Sequence, residues 1–291
     1  MWRTILYNKR SSKKYGWHPS WFSAHSLAGL FPPEETNEFN SQLVDNIKYF
    51  QMVHNLEIDG KVGPITFRRL LSARDNLDPR NFIVINGKKV EIDWDVKIDL
   101  MPRNCYRTSR SERKPNMIVT HWDATTSAEK CKRVLQARKI STHFCIDNDG
   151  VIYQYVDTNN IAWHAGGVNK YSIGVDFSNA YYTKYNDYYF KKGFNLRPIC
   201  KDSRVHGVKL KAHLGYYPVQ IEAYKKLVKV LCDQYGIPLQ TPMINENVAD
   251  TGVVSEVVKG KYHGIVCHYH ASRNKIDCAG LDLKLIVDQL R

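Results

Sequence analysis

The chain is 291 residues long, 43% hydrophobic, and carries a formal net charge of +13. That length accommodates about two domains, and the apolar share excludes a wholly disordered chain. The basic surplus favours a polyanionic partner, yet no zipper, RNA-recognition signature or paired-cysteine finger accompanies it, so nucleic-acid binding is not expected.

Residues 1–38 are rich in Trp, Pro, Ser and Lys without helical periodicity, and the stretch from Gly16 to Phe22 reads as an ordered aromatic arm. From Asn40 onward the pattern changes. Leu43, Ile47 and Phe50 recur at three-to-four spacing and predict an amphipathic helix. Asp59-Gly60 and Gly63-Pro64 predict turns, and Pro64 to Leu71 starts a second helix with proline in its first turn. Residues 74–80 read as a linker. Phe82 to Ile85, Asn86-Gly87 and Lys88 to Ile92 form the strongest hairpin signal in the chain, and a second, basic linker runs on to Pro115.

Strands and helices then alternate. Met117 to Thr120 predicts a short strand ending at His121, Ala128 to Arg138 a helix, and Thr142 to Tyr155 a hairpin turning at Asn148-Asp149-Gly150. Ser172 to Phe177 predicts a buried strand, Val219 to Tyr235 a long helix, Gly264 to Cys267 a strand, and Leu281 to Leu290 a last helix. The mixture predicts an α/β fold with one mixed central sheet flanked by helices. The Tyr- and Lys-rich stretch 180–217 is read as an insertion walling a groove.

Seven cysteines, without CxxC pairs and partly set in apolar runs, read as buried thiols made in a reducing compartment. Met1 to Gly16 has no continuous apolar core, and no run of about 18 apolar residues exists, so neither a Sec signal nor stable membrane insertion is expected.

Ile47-Lys48-Tyr49-Phe50-Gln51 and Leu56 to Phe67, with Asp59-Gly60, Val62-Gly63-Pro64 and Thr66-Phe67 in order, resemble the three-helix peptidoglycan-binding domain of wall hydrolases. That resemblance implies binding to glycan or stem peptide. The later motifs resemble the N-acetylmuramoyl-L-alanine amidase family, which includes phage lysozyme-amidases, bacterial muropeptide-recycling amidases and animal peptidoglycan recognition proteins. They are Ile118 to His121, Ser141 to Gly150, Ala162 to Gly166, Ser172 to Asp176, and Cys267-His268 through Lys275 to Lys284. The expected organisation is a wall-binding domain at 1–75, a linker with hairpin at 76–114, and a zinc amidase domain at 115–291.

Zinc hydrolysis needs three protein ligands and an open position. By the resemblance, His121 and His268 ligate one Zn2+ per chain. The third ligand is Cys278, favoured by the match through Leu281-Asp282-Leu283, or its neighbour Asp277; His270 is a further contender. The resemblance also implies Lys275 as oxyanion stabiliser and Asp176 as general base, with Thr142 where phage relatives carry tyrosine. Trp163, His164, His143 and Thr142 are expected to line the substrate cleft. These features imply a monomeric phage endolysin acting on peptidoglycan after holin-type release from the host cytoplasm. A bacterial autolysin, a recycling amidase and a non-catalytic peptidoglycan receptor are the alternatives.

Overall fold

Polar side chains, not an apolar stripe, anchor the first helix, α1 (Trp2–Tyr15). Asn8 is fully buried: its amide donates to the Gly60 carbonyl at 2.9 Å and its oxygen accepts from Val62 N–H at 3.0 Å. Ser11 donates to the Val62 carbonyl and accepts from Trp17 Nε1 at 3.1 Å. Periodicity searches for apolar residues, so the region expected to lack helical structure is a helix.

The computed structural model describes residues 1–22, 36–53, 56–74 and 82–291. They fall into two units: Met1–Pro79 with Tyr188–Leu196, and Arg80–Asp187 with Arg197–Arg291. Most of the expected linker at 74–80 lies outside the described residues.

The first unit holds α1, α2 (Ser41–Val53) and α3 (Pro64–Arg74). Leu43, Val44, Ile47, Phe50, Val62 and Leu70 form its core, sealed by Trp17 and Phe22 of the aromatic arm. Gln51 organises the loop between α2 and α3. Its amide nitrogen donates to Asp59 Oδ1 (2.8 Å) and the Lys61 carbonyl (3.0 Å), while its oxygen accepts from Gly60 N–H (2.8 Å). One buried amide thus ties together the Phe-Gln, Asp-Gly and Val-Gly-Pro elements of the motif.

In the second unit, β1 (Phe82–Ile85) and β2 (Lys88–Glu91) form the expected hairpin, with Asn86 and Gly87 both at positive φ. This stretch is no free linker. Gln154 exchanges two 2.7 Å hydrogen bonds with the Val84 backbone, and Asp157 accepts from Asn86 and Gly87 N–H at 2.9 and 2.7 Å. β3 (Val96–Ile98) then joins the main sheet. The second unit therefore begins at Arg80, and β3 covers a sheet edge that would otherwise stand open.

That sheet also contains β4 (Met117–Trp122), β5 (Phe144–Ile146), β6 (Ile152–Gln154), β7 (Ser172–Phe177) and β8 (Gly264–Cys267). Its order is β8-β4-β7-β5-β6-β3, parallel throughout except for the β5–β6 hairpin. Apart from the edge strand β3, the strands are buried on both faces, as near-continuous apolar runs in a mostly parallel sheet require. α4 (Ala128–Ala137) and the central helix, which runs Pro218–Tyr235, pack on it. Thr120 and Tyr224 share a 2.5 Å hydrogen bond between β4 and that central helix. Among the described residues no helix is long and apolar enough to cross a membrane.

Candidate metal centre and active site

The register of the parallel strands builds the site. His121, near the end of β4, stands opposite Asp176 of β7, and His268 directly follows β8, the other neighbour of β4. The C-terminal ends of parallel strands are where α/β sheets present functional side chains. The loop after His268 curls back, and Tyr269 N–H donates to the Asp277 carbonyl at 3.1 Å.

Three donor atoms converge. His121 Nδ1, His268 Nδ1 and Asp277 Oδ2 stand 3.0 Å from one another in each pairing. A tetrahedral zinc with bonds near 2.0–2.1 Å sets its ligand atoms about 3.3 Å apart, so a small expansion accommodates the ion. The hydrogen bonds behind His121 fix its tautomer consistently. Ser172 Oγ donates to the Val168 carbonyl (2.9 Å), His164 Nε2 donates to Ser172 Oγ (3.3 Å), and His121 Nε2 donates to His164 Nδ1 (3.0 Å). The unprotonated Nδ1 of His121 is left facing the other two donors, as metal ligation needs.

Charge agrees with this. Burial and the neighbouring His268 push His121 down to about 4, so its ring is neutral at neutral pH. Burial alone would raise Asp277, but the His121 and His268 rings standing against it hold it well below the usual carboxylate range. A buried carboxylate facing unprotonated nitrogen is the state a divalent cation takes up.

Cys278 is not part of this group. Its thiol is fully buried and packs against Cys267 and the Tyr216 hydroxyl, away from the histidines. The turn through these two residues sends the Asp277 carboxylate toward the histidines and the Cys278 thiol into the core. The structure gathers Asp277, the alternative already visible in the sequence, with the two histidines, and does not bring Cys278 to them. His270 is likewise committed elsewhere: its Nδ1 accepts from Cys267 N–H (3.0 Å) and its Nε2 donates to the Asp250 carbonyl (2.8 Å).

Of the residues expected to line the cleft, His143 and Thr142 are 0% and 1% exposed and offer no surface to a ligand. His143 Nδ1 accepts from Gly174 N–H (2.9 Å) and its Nε2 donates to the Asn160 carbonyl (3.1 Å), a cross-link inside the sheet. His164 is partly open, but its ring is spent on His121 and Ser172. It sits where β7 has a glycine: a Cβ on Gly174 would come within 2.7 Å of the His164 ring and 2.8 Å of Thr142 Oγ1. Trp163 does present its ring at the surface. Lys275 is exposed, and its charge is felt at His121.

Asp176 is buried, with Oδ2 3.9 Å from the Cys131 thiol. Burial and then Asp123 push its carboxyl well up, while Thr142 pulls it the other way without forming a hydrogen bond of good geometry. Asp123 groups with the Cys131 and Cys145 thiols but is already saturated, accepting from Thr125 N–H (2.8 Å), the Thr125 hydroxyl (2.7 Å) and Asn179 N–H (3.0 Å).

Sequence reasoning missed Arg113 entirely, having placed it in a linker. Its guanidinium is buried and donates to the carbonyls of Thr158 (2.8 Å), Asn169 (3.1 Å) and Ser172 (2.8 Å). No local pattern in the sequence marks such a clamp.

The family model described as N-acetylmuramoyl-L-alanine amidase matches residues 111–280, more than half of the chain. The chain belongs to the N-acetylmuramoyl-L-alanine amidase family. A second model, a putative peptidoglycan binding domain, matches residues 26–70, so this amidase carries a wall-binding module and has peptidoglycan as its substrate partner. Solved structures similar to this amidase share little sequence with it. The amidase LysC from Clostridium intestinale is 19% identical over 67% of this chain and 97% of its own, with a TM-score of 0.40. The hydrolase AmiA from Staphylococcus aureus is 13% identical over 62% and 67%, with a TM-score of 0.38. A mutant endolysin from Bacillus subtilis is 18% identical over 68% and 99%, with a TM-score of 0.39. No curated protein matches this amidase significantly.

Proposed function

We propose that this amidase is zinc-dependent and hydrolyses the bond between the lactyl group of N-acetylmuramic acid and L-alanine of the stem peptide. The observation that carries the reading is the convergence of His121 Nδ1, His268 Nδ1 and Asp277 Oδ2 at 3.0 Å. When bound there, zinc supplies Lewis-acid polarisation and lowers the pKa of water to about 7. His164 holds the His121 ring in its ligating tautomer. The Lys275 ammonium stabilises the negative charge that develops on the substrate carbonyl oxygen. Asp176, set beside His121 by the strand register, is the general base that takes up the proton of the attacking water. Trp163 offers an apolar platform for substrate beside the site.

A wall-binding module joined to an amidase supports the further reading that this is a phage endolysin, since tethering raises the local concentration of an insoluble substrate. Asp277 as third ligand favours one alternative, a recycling-type amidase. That reading leaves the wall-binding module without a use, because recycled muropeptides are soluble.

Elemental analysis should find about one zinc per chain. Chelation should abolish release of stem peptide from sacculi, as read by mass spectrometry of the digest, and zinc should restore it. His121→Ala and His268→Ala are each expected to lose both metal and cleavage. Undiminished cleavage by metal-free protein would sink the mechanism.

A further inference from the structure

A cavity of about 280 Å³ opens within the first unit. Around it stand three aromatic rings, Tyr7, Phe190 and Phe194, and among its polar side chains are Glu57, Asp59, Lys61 and Asn195. Two of the rings belong to Tyr188–Leu196, which lies between amidase elements in sequence yet folds into this unit. The segment is closely seated. Gly193 meets Pro64 so tightly that an added Cβ would stand 2.8 Å from a ring carbon, and the Asn195 amide donates to the Glu57 carboxylate. Phe190 is nevertheless 65% exposed, an apolar ring held out beside a cleft.

The charges at the cavity select its ligand. Lys61 is paired with Asp59 at 3.5 Å, so Glu57 leaves the lining acidic in a chain of net charge +13. Stem peptides and phosphate-rich wall polymers carry anions that such a lining repels. A glycan strand is rich in hydroxyl donors, which carboxylates and amides accept, and each sugar ring has an apolar face that an aromatic side chain can cover. The volume lies near the lower end of the roughly 300–1,000 Å³ typical of ligand pockets, which suits one or two sugar units.

We propose that Tyr188–Leu196 completes a glycan-binding groove in the wall-binding unit, with Phe190, Phe194 and Tyr7 as stacking platforms and Glu57 and Asn195 as hydroxyl partners. The proposal rests on the reading of this unit as a wall anchor, and makes the anchor dependent on a segment that lies outside the peptidoglycan-binding motif.

Glycan strands already stripped of stem peptides provide the test, because they hold no bond for the enzyme to cut and the full-length active protein can be used. Wild-type protein should sediment with these strands. Phe190→Ala, which removes a largely exposed ring, and Asn195→Asp, which sets a second carboxylate beside Glu57, should each weaken retention at least about tenfold. Unshifted melting curves should show that the Phe190→Ala fold is intact. Wild-type retention by both variants overturns the proposal, as does competition by free stem peptide or polyphosphate stronger than competition by N-acetylated oligosaccharide. Binding to intact sacculi without binding to stripped strands overturns the glycan assignment and leaves the wall-anchor reading standing. Binding to neither removes the anchor reading itself and the groove with it.

Discussion

Asp277 and Cys278 are covalent neighbours held in contrasting surroundings. The carboxylate faces two imidazole nitrogens at 3.0 Å, while the thiol lies against Cys267 and Tyr216 in a dry part of the core. Zinc accepts either donor type, so donor chemistry alone left the ligand open in the sequence, and the path of the loop is what favours Asp277 in the proposed site. Asp277→Asn preserves shape and removes the anion. It is expected to lower zinc affinity by more than tenfold and to remove most activity. Cys278→Ser should keep the zinc stoichiometry and lose about 1–3 kcal/mol of stability, because a hydroxyl replaces a thiol in an apolar site. Zinc-edge X-ray absorption should show nitrogen and oxygen only; a sulfur in the coordination shell would restore Cys278 as the ligand.

At the scale of elements, two buried histidines work as cross-links. His143 joins β7 to the Asn160 loop, and His270 joins the end of β8 to the Asp250 carbonyl. Burial, with Arg113 adding to it, pushes His143 down to about 3, and burial pushes His270 down to about 4. A folded pKa below the ordinary histidine value near 6.5 means that the unfolded chain binds protons first. Their contribution to stability is therefore complete above about pH 6.5 and is lost progressively as pH falls toward 4 and then 3. Urea unfolding midpoints should fall across pH 6.5 to 4, and His270→Gln should flatten part of that slope. A midpoint independent of pH in this window would contradict the cross-link account.

Legibility followed the same line. The elements with periodic apolar faces or turn chemistry, such as α2, the Asn86-Gly87 hairpin, β4, β7 and the final helix (Leu283–Leu290), stood in the sequence where the structure has them. α1 did not, because Asn8 and Ser11 face inward, and β3 did not, because three residues at a sheet edge carry too short a pattern. His121 and His268 were legible as strand-end residues. The roles of His164 and Arg113 depend on loops that meet only in the fold.

For the whole molecule, the consequence is where the chain divides. Motifs alone place the amidase start near residue 115, but the unit includes Arg80 onward. A fragment starting at residue 113 would discard Ile83, Ile85, Ile92, Trp94, Val96, Met101 and Cys105, all buried. At about 1.5–3 kcal/mol for each large apolar side chain, that loss rivals the 5–15 kcal/mol by which a typical domain is stable. It would also strip β6 of its parallel partner β3 and leave an open edge. The fragment 113–291 is therefore expected to aggregate or to melt without cooperativity. The fragment 82–291 should fold, release stem peptide from soluble muropeptides, and be cut by protease first within Tyr188–Leu196, whose seat on Pro64 and Glu57 is gone. Circular dichroism melts, a muropeptide assay and limited proteolysis read these three outcomes. Equal cooperative melting of the two fragments would show that the hairpin and β3 are dispensable additions to a self-sufficient sheet.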